Sequence, residues 1–113
     1  MSTMILIKSF RAAAEISPYC IVAARTDGMV ATASGKGDKL LGTAGSCGAK
    51  AGEMLDVGQC GWGEVMCGGN ISFGDCLTSD AKGHAIKAEV ADRTIGIAMS
   101  DGSAGDVISF KIN

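Results

Sequence analysis

Apolar residues in this chain come in short runs, each broken within a few positions by glycine, aspartate or serine. Such runs, bounded by turn residues at short spacing, are the pattern of strands in a β-sandwich or barrel. The pattern predicts strands over residues 4–10, 19–25, 29–33, 40–44, 54–59, 62–67, 75–78, 84–88, 93–99 and 106–112, with Gly61 separating the fifth from the sixth. Asp27-Gly28 between two apolar runs is a strong hairpin signal. Ser79-Asp80-Ala81-Lys82-Gly83 predicts a second hairpin. Only residues 9–16, with Ala12-Ala13-Ala14-Glu15, have helix propensity. That stretch lacks a cap and an amphipathic stripe, so it is expected to be irregular or a single turn.

The pattern is written twice. Ile16-Ser17-Pro18-Tyr19-Cys20-Ile21-Val22 is echoed by Ile71-Ser72-Phe73-Gly74-Asp75-Cys76-Leu77, and Asp27-Gly28 by Lys82-Gly83. Leu41-Gly42 is echoed by Ile95-Gly96, and Ala51-Gly52 by Ala104-Gly105. Ile16 to Ile71 and Gly28 to Gly83 both differ by 55, Gly42 to Gly96 by 54, and Gly52 to Gly105 by 53. A slow drift of this kind is what small loop indels produce. A repeat of this length implies two similar β units packed on each other. We therefore expect one domain, 1–113. It divides into an N-terminal arm or strand (1–15), a first repeat (16–57) and a second repeat (71–110), related by a pseudo-twofold.

Composition narrows the function classes. The 17 Gly and single Pro suit a turn-rich β protein. With 10 basic and 12 acidic residues the net charge is −2. No basic stripe is available to neutralise phosphates, so nucleic acid is not an expected partner. No apolar run approaches the length of a membrane-spanning helix, so no membrane role is expected. Met4-Ile5-Leu6-Ile7 is too short for a secretory core, and Lys8 follows it rather than precedes it. We expect a protein made in the cytoplasm. Five cysteines, an odd number without a leader, argue against a disulfide framework. Cys20 and Cys76 fall at comparable places in the two units, and the thiols are expected to be free and mostly buried. Their spacings lack the close pairs of a metal site.

No catalytic constellation is legible. His84 is the only histidine and has no carboxylate at a suggestive spacing. Residues 42–50 miss the phosphate-loop spacing, since Lys50 does not follow Gly48 and Ala51 replaces the hydroxyl. Gly61-Trp62-Gly63-Glu64-Val65-Met66 puts Met66 where a dinucleotide loop needs its third glycine. Asp101 and Asp106 fit a solvated turn. Trp62, between the units, fits packing or an interface. The chain is thus expected to be no enzyme and to hold no cofactor or metal.

Two segments carry a family resemblance. One is Gly74-Asp75-Cys76-Leu77-Thr78-Ser79-Asp80-Ala81-Lys82-Gly83-His84-Ala85-Ile86. The other runs from Arg93-Thr94-Ile95-Gly96-Ile97-Ala98 through Gly102-Ser103-Ala104-Gly105-Asp106-Val107-Ile108. Together they resemble the decoration, or cement, proteins of tailed-phage capsids. Asp27-Gly28-Met29-Val30, Leu41-Gly42 and Gly61-Trp62-Gly63-Glu64-Val65 look like the family's remaining elements. The resemblance implies a small all-β protein, without catalysis, that binds the outer surface of an icosahedral head and stabilises it. It implies the major capsid protein as partner, self-association as a trimer or other small oligomer, and a place on the virion exterior. Five cysteines and six methionines depart from the pattern.

The residues favoured for an interface are Met4, Ile5, Leu6 and Ile7, with Trp62. The first four are apolar, terminal and outside the repeated unit, and an extended arm can add a strand to a neighbour's sheet. They could equally form an edge strand of their own domain. Two other readings remain. Gly37-Asp38-Lys39 could imitate the hairpin of a lipoyl or biotinyl carrier domain, with Lys39 modified. Trp62 could serve a small carbohydrate-binding module.

Overall fold

The computed structural model describes residues 4–25, 27–46 and 48–112, with side chains from residue 9 onward except those of 58–60. Among the described residues the fold is all-β and sandwich-like, without a helix. Nine strands follow in chain order: β1 (Met4–Arg11), β2 (Ile21–Ala24), β3 (Val30–Thr32), β4 (Leu40–Thr43), β5 (Met54–Met66), β6 (Cys76–Ser79), β7 (Ala85–Lys87), β8 (Gly96–Ala98) and β9 (Val107–Ile112). Hydrogen bonds link them in the order β3-β2-β4-β5-β9-β8-β6-β7, and β1 pairs with β5. All of these pairings are antiparallel.

Two sequence expectations change. Gly61 does not separate two strands: β5 runs unbroken for 13 residues. Gly61 takes φ 91°, and register shifts lie opposite it in β1 between Met4 and Leu6 and between Leu6 and Ile7. A glycine in the left-handed region absorbs such an irregularity within a strand. The first strand, expected to end at Phe10, runs on through Arg11, because Arg11 pairs with Met54 as Ser9 and Phe10 pair with Asp56 and Leu55.

The pairing recurs along the chain. β2 lies between β3 and β4, as β6 lies between β7 and β8. Phe10 opposes Leu55 and Arg11 opposes Met54, as Val65 opposes Ile108 and Met66 opposes Val107. β1 thus plays toward the first stretch of β5 the part that the end of β5 plays toward β9. Isolated bridges recur too: Ala12 with Val30 and Cys67 with Ala85, then Ile16 with Ala49 and Ile71 with Gly102.

Successive side chains point to opposite faces of a strand, and two apolar clusters result: in β2 Ile21 and Ala23 enter one and Val22 the other. The first holds Ala12, Ile16, Val22, Val30, Ala44, Ala49, Leu55 and Val57. The second holds Cys67, Ile71, Leu77, Ala85, Ala98, Ile108 and Phe110 among others. Seven of the first eight have a counterpart in the second at the offsets above, such as Val22 with Leu77 and Val57 with Phe110. The second cluster also takes in Ile21, Ala23 and Ala33 from the first half. The halves therefore share core, and neither is an independent layer.

Carboxylates close the turns. Asp75 accepts the Ser72 N–H at 2.9 Å, Asp106 the Ser103 N–H at 3.0 Å, Glu53 the Lys50 N–H at 2.7 Å and Asp92 the Glu89 N–H at 2.8 Å. In each turn the acidic residue's own N–H donates back to the first carbonyl. Such local bonds are why aspartate marks turns in sequence. Asp101 accepts the Phe73 N–H at 2.8 Å. These acids hold backbone, as a solvated-turn reading expects.

Gly28 and Gly83 have φ 83° and 78°, as their hairpins require. Gly102 is different. It is not a turn glycine of this kind but bridges Ile71, and a side chain there would run into Cys67 Sγ and Ile108. The positive φ falls on Gly105, at 93°. Tyr19 adopts φ 63°, at the position matching Gly74, which has φ 92°.

Candidate interface

One face of the second half turns its side chains outward. Trp62 on β5 pairs with Lys111 on β9, Lys111 with Ile97 on β8, and Ile97 with Cys76 on β6. Directly opposed residues share a face, so these four form one cross-strand row. All four are exposed, Trp62 at 41% and Ile97 at 39%. Val107 lies on the same face at 39% exposure, four residues before Lys111 on β9. The intervening Val65, Ile108 and Phe110 point into the core, and Gly63 is buried against Phe110. Trp62 is therefore an outward side chain rather than core packing. Adjacent to β6, Phe73 is 67% exposed.

The other proposed interface segment lies in β1. Residues 4–7 pair with β5, so their backbone is part of the protein's own sheet, the edge-strand alternative. The side chains of Met4, Ile5, Leu6 and Ile7 lie outside the described residues. Among the described residues β1 has β5 as its strand partner, and Ala12, just past its end, bridges Val30.

The thiols divide. Cys20 and Cys67 are free and buried, but Cys76 is free and exposed. The expected equivalence of Cys20 and Cys76 is off by one residue: Cys76 matches Ile21, and Cys20 matches Asp75. A step of one residue along a strand changes the face. Burial, and secondarily the negative charge of Asp80, pushes the Cys20 thiol pKa up. Burial and then Asp106 do the same for Cys67. The side chains of Cys47 and Cys60 lie outside the described residues. Among the described residues no group of three His, Cys, Asp or Glu side chains is placed to hold a metal.

His84 precedes β7 and is half-buried, and its N–H donates to Asp80 Oδ1 at 2.9 Å. The same oxygen accepts the Lys82 N–H at 2.8 Å, so Asp80 shapes the β6–β7 turn. Lys39 lines an open cleft of about 520 Å³ with Ala23, Arg25, Thr32, Ser34 and Asp38. Arg25 pairs with Asp27 at 3.4 Å, and Asp38 accepts both the N–H and the hydroxyl of Ser34. A carrier domain displays its lysine at the tip of a hairpin. β3 and β4 each pair with β2, not with each other, so Lys39 is not at a hairpin tip.

No family model matches the sequence. No curated protein matches it either. A solved structure does resemble the fold: the crystal structure of the N-terminal base of head fiber gp8.5 in bacteriophage phi29. It aligns over 96% of this chain and 93% of that one, with a TM-score of 0.72 and 17% sequence identity. At that identity the likeness establishes a shared fold over nearly the whole length of both chains.

Proposed function

We propose that this protein is a non-enzymatic structural component of a phage virion, which docks on the outer surface of the assembled head and stabilises it. The observation that carries this reading is the whole-length fold similarity to a head-fiber base. The turn motifs around Gly83 and Gly105, which resemble those of capsid decoration proteins, support it independently. The architecture suits the task. A rigid β body with an exposed face of Trp62, Ile97 and Val107 gives a pre-formed docking surface, and repetition over a shell multiplies weak contacts. The partner in this reading is the major capsid protein, and the protein resides on the virion exterior.

The test is sedimentation of the purified protein with expanded, undecorated heads, followed by heating with and without it. Saturable binding and a raised disruption temperature are expected. Failure of the folded protein to bind removes the reading.

A further inference from the structure

The chain contains two Asp-Gly pairs, Asp27-Gly28 and Asp101-Gly102. At such a pair aspartate can rearrange without an enzyme. The backbone nitrogen of the glycine attacks the side-chain carboxyl carbon and closes a five-membered succinimide. A side chain on the following residue hinders that approach, and every other aspartate here precedes a residue with a Cβ. The reaction needs a carboxyl group near the nitrogen and a backbone able to turn as the ring closes. The fold treats the two pairs oppositely.

Asp101-Gly102 is locked. Asp101 Oδ1 accepts the Phe73 N–H at 2.8 Å, so the carboxyl group is held toward a distant segment. The Gly102 N–H donates to the Ile71 carbonyl at 2.9 Å, and the Gly102 carbonyl accepts the Ile71 N–H at 2.8 Å. A Cβ on Gly102 would run into Cys67 Sγ and Ile108, so the residue has little room to swing. Asp27-Gly28 lies open. Both residues are exposed in the turn between β2 and β3. A Cβ on Gly28 would meet nothing within 4 Å. The Gly28 N–H donates within the turn to the Arg25 carbonyl at 3.3 Å, longer than the usual range for such a bond. Asp27 Oδ1 accepts the Met29 N–H at 3.0 Å. The ring closed by this bond contains the Gly28 nitrogen, so the carboxyl carbon is folded alongside its nucleophile. Holding reacting groups together in this way favours their reaction. The Arg25–Asp27 pair at 3.4 Å joins two exposed side chains and is a weak restraint.

We propose that Asp27 is a site of spontaneous isoaspartate formation in the folded protein, and that the fold shields Asp101 from the same reaction. The Gly28 nitrogen bonds to the Asp27 carboxyl carbon, and its proton leaves with the carboxyl hydroxyl as water. Water then reopens the ring. Attack at the side-chain carbonyl restores aspartate. Attack at the main-chain carbonyl gives isoaspartate, in which Cβ has entered the main chain. The water lost is the water regained, so the mass is unchanged and no oxidant or reductant takes part. The product lengthens the turn beside the Arg25 N–H to Met29 carbonyl bond and the Ala24–Val30 pair. β3 ends the hydrogen-bonded order with β2 as its strand partner, so the change loosens that edge of the sheet. The inference concerns the isolated protein and does not rest on head binding.

The test ages the full-length protein at 37 °C and mildly acidic pH in water labelled with oxygen-18. Trypsin then separates the two sites into peptides 26–36 and 94–111. Electron-transfer fragmentation locates isoaspartate, and one heavy oxygen per conversion marks passage through the ring. Isoaspartate should accumulate at Asp27 about tenfold or more faster than at Asp101, a difference set by local protection in the fold. In guanidinium chloride, where the fold is lost, the two rates should come within about threefold of each other. Asp27→Glu, which cannot close the five-membered ring, should leave peptide 26–36 unlabelled, with circular dichroism unchanged. Equal rates in the native protein, or no conversion at Asp27, overturn the inference. Labelling of peptide 26–36 that survives Asp27→Glu also overturns it. So does a tenfold preference that persists in denaturant, because the difference would then belong to local sequence rather than to the fold.

Discussion

The Gly83 carbonyl accepts the Ile21 N–H at 2.7 Å, and through this bond a hairpin turn of the second half closes over the first strand of the first half. Gly28 occupies the matching turn with nearly the same φ but touches nothing comparable. The pair separates two requirements for glycine that sequence cannot distinguish. Gly28→Ala meets only the backbone penalty of the left-handed region, about 1–2 kcal/mol. Gly83→Ala adds a clash with Thr32 and the Ile21 carbonyl, about 1–3 kcal/mol more. Urea denaturation of both variants should show the larger loss at Gly83, and equal losses would refute the difference in packing.

Gly102 is a glycine for space alone. Gly102→Ala should cost about 1–3 kcal/mol by overpacking against Cys67 and Ile108. Residues in direct contact couple, so Cys67→Ala should relieve part of that cost. The double variant is expected to be more stable than the two single losses added together. Strict additivity in denaturant midpoints would count against the contact.

The thiols should react in order of exposure. Titration of native protein with a disulfide reagent should label Cys76 rapidly and spare Cys20 and Cys67 until denaturation. Peptide mapping of the first labelled site decides this.

Alkaline pH should destabilise the fold. Folded-state pKa values of Cys20 and Cys67 are raised, so these thiols keep their protons where the unfolded chain loses them. Above the unfolded thiol pKa the folded state binds more protons, and unfolding free energy falls as pH rises. The contribution is fully present below that pKa and disappears through the folded values. A Cys20→Ala/Cys67→Ala variant should show a shallower alkaline decline in melting temperature, and an unchanged slope would exclude these groups as its source.

Deleting residues 1–10 should compromise folding rather than dissect binding. β1 makes seven register pairs with β5, and Phe10 packs against the first apolar cluster. The shortened protein should melt at a much lower temperature than the full chain. A truncation as stable as the full chain would show that β1 adds nothing to the sheet.

Local chemistry made much of this protein legible. Short apolar runs broken by glycine, aspartate and serine, with Asp-Gly and Lys-Gly turns between them, located most strands to within a residue or two. Tertiary structure decided what no local pattern encodes. Gly61 could be read as a break, but β1 beside it carries compensating register shifts, and β5 continues through. Ile21 and Cys76 hold matching strand positions, yet one is buried and the other exposed. A sequence sets which side of a strand a residue faces. What lies on that side depends on contacts between segments distant in the chain, here a turn at Gly83 that reaches across to Ile21 while the turn at Gly28 reaches nothing.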